Sequence, residues 1–164
     1  MMTRIAFLLL LCSTLVACVY PQAERIAVYK SDRTMVLYDD KGEVIGNYKV
    51  ALGRDPLGPK LEEGDGKTPE GMYYIAGHNP RSKYYKSLRI SYPNDMDREQ
   101  ARARGVKTGG DIMIHGLGKG VTWGTDAYSR RQGDWTHGCI AVTNNEIDDI
   151  WHMVRDGTPI DIRP

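Results

Sequence analysis

Two runs rich in β-branched and aromatic residues, Arg25–Lys30 (RIAVYK) and Thr34–Tyr38 (TMVLY), are separated only by Ser31-Asp32-Arg33. Such runs favour extended backbone, and so short a connection between them admits a hairpin. The start of the chain is thereby committed to an antiparallel sheet. A second turn, Asp39-Asp40-Lys41-Gly42, leads to a third strand predicted over Glu43–Leu52. Its alternation places Val44, Gly46, Tyr48 and Val50 on one face and Ile45 on the other.

The remaining segments extend this pattern. Gly53–Lys67 carries Pro56, Gly58, Pro59, Gly64 and Gly66 and reads as a long loop. Strands are predicted over Gly71–Ala76, Ser87–Ser91, Ile112–Ile114 and Ile160–Ile162. A short helix is predicted over Asp95–Arg104, opened by Asn94 or Asp95 and stopped by Gly105. Thr143 and Glu146 have the spacing of a capping box, predicting a helix through Val154 with Ile147, Ile150, Trp151 and Val154 on one face. The fold class is mainly β with a few short helices (α+β), in one domain.

Composition restricts function. The chain has 22 basic and 21 acidic residues, so it lacks the basic excess of a nucleic-acid-binding surface. The N-terminus reads as an export signal, with a cationic Met1–Arg4 followed by an apolar run, Ile5–Ala17. Thirteen residues are too few to span a bilayer comfortably, which takes roughly 17–25. The run ends in Leu15-Val16-Ala17-Cys18, which resembles the lipobox of bacterial lipoproteins. Cleavage by an ordinary signal peptidase after Ala17 or Ala23 would place Leu15 or Pro21 where a small residue is required. The expected organisation is a lipoprotein-type signal peptide (1–17), a tether (18–24) and one folded domain (25–164). Lipidation at Cys18 would hold the protein at a membrane of the bacterial envelope, on the periplasmic side.

Of the three cysteines, Cys12 lies in the signal peptide and Cys18 is the lipidation candidate, leaving Cys139 as a free thiol. An unpaired cysteine in an exported protein points to a reactive thiol or an intermolecular bridge. Its surroundings favour reactivity. Cys139 lies in Asp134-Trp135-Thr136-His137-Gly138-Cys139, and a second histidine, His115, ends the apolar run Ile112-Met113-Ile114. Acyl chemistry needs the thiolate, hence a base or cation that lowers the thiol's pKa. The histidines supply the base and its orienter, and Gly138 allows the backbone N–H groups of Gly138 and Cys139 to approach an oxyanion. Zinc also accepts these ligand types, but the spacing matches no zinc motif, and neither metal nor cofactor is expected.

His115-Gly116 followed by Thr136-His137-Gly138-Cys139, with Thr68-Pro69-Glu70-Gly71 and Tyr92-Pro93-Asn94 upstream, resembles the L,D-transpeptidase catalytic domain (YkuD-like) over about Ile26–Ile162. The resemblance implies a β-sandwich or barrel. It also implies a cysteine acyltransferase that acts on peptidoglycan stem peptides in cell-wall biogenesis, with an amine or a lipoprotein as acceptor. Cys139 becomes the nucleophile, His115 the base, and His137 a residue that shapes the site. Thr136, Trp123, Trp135, Arg130 and Tyr92 become candidates for substrate binding. His78 and His152 are read as solvated or turn residues, and Trp151 as core.

Two features depart from the family pattern. Twenty residues separate His115 from Thr136, a few more than usual, so Gly118–Gly133 is expected to form a lid or an acceptor subsite. Ala141 replaces the Arg or Asn that many relatives carry two residues after the cysteine, and resembles the hydrolytic branch of the family. Transfer to an amine, hydrolysis of the same links, and binding of stem peptides without catalysis all stay open.

Overall fold

A computed structural model describes residues 20–118 and 133–164. Its strands are β1 (Arg25–Tyr29), β2 (Thr34–Tyr38), β3 (Val44–Lys49), β4 (Gly71–Ser82), β5 (Tyr85–Ile90), β6 (Met113–His115), β7 (Ile140–Ala141) and β8 (Pro159–Arg163). Helix α1 (Asp95–Arg104) follows β5, and α2 (Asn144–Met153) follows β7. The strands form one sheet in the order β3-β2-β1-β8-β4-β5-β6-β7. The chain is mainly β with short helices, as its sequence predicts.

The sheet folds over at β4. The first part of β4 pairs with β8 and the rest with β5, with a register shift between Ile75 and Gly77. A bulge of this kind lets one long strand bend and serve two half-sheets. Both halves contribute to a single core: Ile26, Leu37 and Ile160 meet Leu88, Ile114 and Ile140. The ends of the strand order also touch, because Ala51, just past β3, bridges to Ala141 in β7. The arrangement therefore approaches a closed barrel, with Ile147 and Ile150 of α2 packed into the same core.

Both helices start at the predicted caps. Asn94 and Asp97 form a capping box on α1, and Thr143 and Glu146 form one on α2. Gly105 ends α1 in the left-handed conformation (φ 71°), which glycine adopts without a Cβ penalty.

The third strand departs from its expected pattern. Its register against β2 shifts between Leu37 and Tyr38, so that Gly46 faces Leu37 and Val44 faces Tyr38. The extra residue reverses the alternation and leaves Val44 58% exposed while Tyr48 is buried. The strand also ends sooner than Leu52, because Ala51 turns away from β2 to pair with Ala141. In contrast, β4 outruns its predicted end at Ala76. Pro80 is accommodated within it because the ladder with β5 is interrupted between Asn79 and Ser82, where no backbone N–H is needed.

Candidate active site

Sheet register creates the site. Strands β6 and β7 are parallel, with Ile114 beside Ile140 and His115 beside Ala141. Continuing that register by one residue sets Cys139 level with Met113. Alternate residues share a face, so Ile114 and Ile140 point into the core while His115, Ala141, Met113 and Cys139 point away from it. On that side, His115, His137 and Cys139 line one open cavity of about 660 Å³, together with Trp135, Thr136 and the tip of the β4–β5 hairpin.

The loop before β7 is held from several directions. Asp134 accepts the Leu52 N–H on one oxygen, and the Arg33 guanidinium on the other at 2.9 and 3.1 Å. Thr136 is 3% exposed. Its hydroxyl donates to the Cys139 carbonyl at 2.8 Å and accepts the Gly138 N–H at 3.0 Å. Thr136 thus forms the turn that presents the thiol. Gly138 has φ 127°, and a Cβ there would lie 2.6 Å from the Lys67 carbonyl oxygen. The motif glycine is required by both its conformation and its surroundings. Because the Gly138 N–H is taken by Thr136, the expected pair of oxyanion donors is corrected: only the Cys139 N–H of that pair is left for the role.

His115 is almost fully buried. Its Nδ1 lies 2.6 Å from the Gly116 carbonyl oxygen, which accepts only if Nδ1 carries the proton. The neutral ring therefore keeps its lone pair on Nε2. Tyr84 stacks on the imidazole with centroids 4.4 Å apart, and Trp135 meets it edge-on at 5.8 Å. Burial pushes the pKa of His115 below the ordinary imidazole value, and the Lys83 charge adds to the effect.

The Cys139 S–H donates to the Asp111 carbonyl at 3.6 Å. Burial raises the thiol pKa, and the Asp111 carboxylate raises it further, against the lowering effects of the Met113 amide and the Lys83 and Lys60 charges. Burial thus favours the neutral form of both the thiol and the imidazole, and the acidifying influence expected from the sequence comes from the Met113 amide and the Lys83 and Lys60 charges.

His137 is exposed at the cavity edge, and a guanidinium nitrogen of Arg54 lies 2.6 Å from its Nε2 and 2.8 Å from its Nδ1. Arginine only donates, so a ring nitrogen of His137 accepts. Sequence reasoning missed Arg54, whose backbone N–H reaches the Thr136 carbonyl from the loop after β3. It also missed Tyr84 and Asp111. No spacing signal marks any of the three.

Trp135 joins the cavity, as expected. Tyr92 does not, which is another correction. It is 3% exposed, its hydroxyl donates to the Thr108 carbonyl, and its ring packs edge-on against Tyr73 in the core. A large apolar ring next to buried Tyr73 is worth more inside than at a wet cleft. Trp123, Arg130 and the proposed lid, like Cys18, lie outside the described residues.

Away from the cavity, His78 pairs with Asp156 at 2.6 Å and meets Trp151 edge-on. His152 stacks on Tyr20. Trp151 packs, partly buried, against the core.

The family model for the L,D-transpeptidase catalytic domain (YkuD) matches residues 23–162. The Escherichia coli (strain K12) protein named "Putative L,D-transpeptidase YafK" is 37% identical over 134 residues, covering 79% of this chain and 46% of that protein. Among solved structures, the helical cell shape determining protein Pgp2 from Campylobacter jejuni superposes with TM-score 0.67 at 28% identity, covering 88% of this chain and 49% of its own. Bdellovibrio bacteriovorus Bd1075 superposes with TM-score 0.61 at 25% identity, covering 88% and 48%. The chain spans about half the length of these relatives. With the match extending over most of its length, the chain belongs to the L,D-transpeptidase catalytic domain (YkuD) family.

Proposed function

We propose that the protein is a cysteine acyltransferase of peptidoglycan stem peptides, working through a thioester on Cys139. The observation that carries this reading is the β6–β7 register, which puts a buried base and a thiol on one face of one cavity. His115 Nε2 removes the thiol proton as sulfur attacks the amide carbonyl on the L-centre of the stem's diamino acid. The Cys139 N–H stabilises the oxyanion. As the C–N bond breaks, His115 returns the proton to the departing amine of the terminal D-alanine. An incoming amine, from a neighbouring stem or a lipoprotein lysine, then attacks the thioester. Its proton passes to His115 and on to the released sulfur.

A second reading, hydrolysis of the same peptidoglycan or peptidoglycan–lipoprotein links, is favoured by Ala141. Its methyl group lies level with His115 in the neighbouring strand and is fully buried, so the longer polar side chain of many relatives is missing beside the base. Water would then resolve the thioester. A lipid anchor at Cys18 would confine either reaction to wall near the membrane. The tether of seven residues spans at most ~25 Å.

Mass spectrometry of wild type and Cys139→Ala with disaccharide-tetrapeptide, with and without an added amine, separates these outcomes. Cysteine-dependent loss of D-alanine with an amine-exchanged product supports transfer. Water incorporation alone supports hydrolysis. Full function in Cys139→Ser would leave only a binding role.

A further inference from the structure

The β4–β5 hairpin brings two cations, Arg81 and Lys83, to the mouth of the Cys139 cavity. Both are exposed. Among the described residues, the nearby ion pairs use other cations: Lys86 holds Asp148 at 2.6 Å and Arg89 holds Asp111 at 3.3 Å. Asp111, the acidic residue among the described lining of the cavity, is paired with Arg89 rather than with Arg81 or Lys83. The unopposed charge at the mouth is positive.

The hairpin tip is fixed. Asn79 accepts the Arg81 N–H at 2.9 Å, and Ser82 accepts the Tyr84 N–H at 3.2 Å. The strand leaving His115 presses against it: a Cβ at Gly116 would lie 3.0 Å from the Tyr84 carbonyl oxygen, and one at Gly118 would lie 3.3 Å from that of Lys83. The Lys83 ammonium stands 5.0 Å from the Tyr84 ring, which itself stacks on His115. Lys83 and His115 thus both contact the Tyr84 ring, and the Lys83 charge acts on both His115 and Cys139.

We propose that Arg81 and Lys83 form a carboxylate-binding subsite that holds the free carboxylate of the acyl donor beside the scissile bond. A tetrapeptide ending in D-alanine carries such a group one residue beyond that bond. Arginine offers a bidentate fork and lysine a point charge. The subsite deepens the stem-peptide reading and rests on it.

Two measurements test it. The first compares alkylation of Cys139 by iodoacetate, which carries a carboxylate, and by its neutral counterpart iodoacetamide, followed on the Cys139 peptide by mass spectrometry. The ratio of the two rates cancels any change in thiol pKa. We expect Lys83→Met with Arg81→Met to lower that ratio about three- to tenfold, and high salt to lower the wild-type ratio likewise. The second measures binding of tetrapeptide, as free acid and as C-terminal amide, to Cys139→Ser. We expect the free acid to bind about tenfold more tightly and to lose that advantage in the double substitution. An unchanged alkylation ratio, with equal binding of acid and amide, overturns the subsite. A lowered ratio with neither peptide bound overturns the stem-peptide reading instead.

Discussion

His115 and Cys139 face one cavity from neighbouring parallel strands, two residues out of register. His115 offers Nε2 because Nδ1 is committed to the Gly116 carbonyl. His115→Gln keeps a side chain of similar length but removes the base. Turnover of the peptide donor should fall about a hundred- to ten-thousandfold, with donor binding, measured in the Cys139→Ser background, changed much less. An equal loss in binding would assign His115 to substrate contact rather than proton transfer.

Burial lowers the His115 pKa and raises that of Cys139, so a reaction that starts from the neutral pair should have widely separated pH limbs. The acid limb of kcat/KM should lie below the ordinary imidazole value of 6.5, where His115 becomes protonated. The alkaline limb should lie above the ordinary thiol range, where Cys139 ionises. Asp111→Asn removes a charge that opposes the thiolate, and asparagine tolerates the left-handed backbone there (φ 53°). Iodoacetamide should therefore modify Cys139 faster at pH 7 in this variant. A slower reaction would mean that the carboxylate does not govern the thiol.

The residues that the fold gathers at one cavity, His115, His137 and Cys139, were legible as candidates in the sequence because they are reactive types at close spacing. So were the caps Asn94 and Thr143 and the first hairpin. What escaped depends on contacts distant in sequence. Strand β7 has only two residues and exists because Ile114 and Ala51 pair with it from either side. The bulge opposite Leu37 that exposes Val44 has no local signal. The upward push on the thiol pKa comes from burial, which no motif encodes. Thr68-Pro69-Glu70-Gly71 was legible only as a family segment. Its physical role emerges in three dimensions, where the Thr68 hydroxyl accepts the Gly53 N–H and Glu70 holds Lys30.

That last contact anchors the long loop beneath the site. Lys30, 2% exposed, donates to the Gly58 and Thr68 carbonyls and to Glu70 at 2.8 Å. Lys30→Met leaves the Glu70 charge and two carbonyls unpaired and should cost about 3–5 kcal/mol. Lys30→Met with Glu70→Gln should cost less, because no lone charge remains. Thermal unfolding of both variants checks this, and an unchanged Tm in the single variant would rule out an anchoring role.

Gly138→Ala combines an unfavourable φ with a methyl group 2.6 Å from the Lys67 carbonyl oxygen. The conformation alone costs about 1–3 kcal/mol. The turn should shift, moving the Cys139 N–H and thiol out of line. We expect both a lower Tm and a loss of turnover beyond a hundredfold, measured on the folded fraction. Normal turnover would mean that the turn geometry is not part of the catalytic apparatus.

The central claim is that Cys139 becomes acylated by the stem peptide. Rapid acid quench of the enzyme with disaccharide-tetrapeptide, followed by mass spectrometry of the Cys139 peptide, measures this directly. The account predicts an adduct equal to the donor minus D-alanine, bound to Cys139, discharged by hydroxylamine and absent from Cys139→Ala. D-alanine release that persists in Cys139→Ala, with no adduct in the wild type, would contradict it.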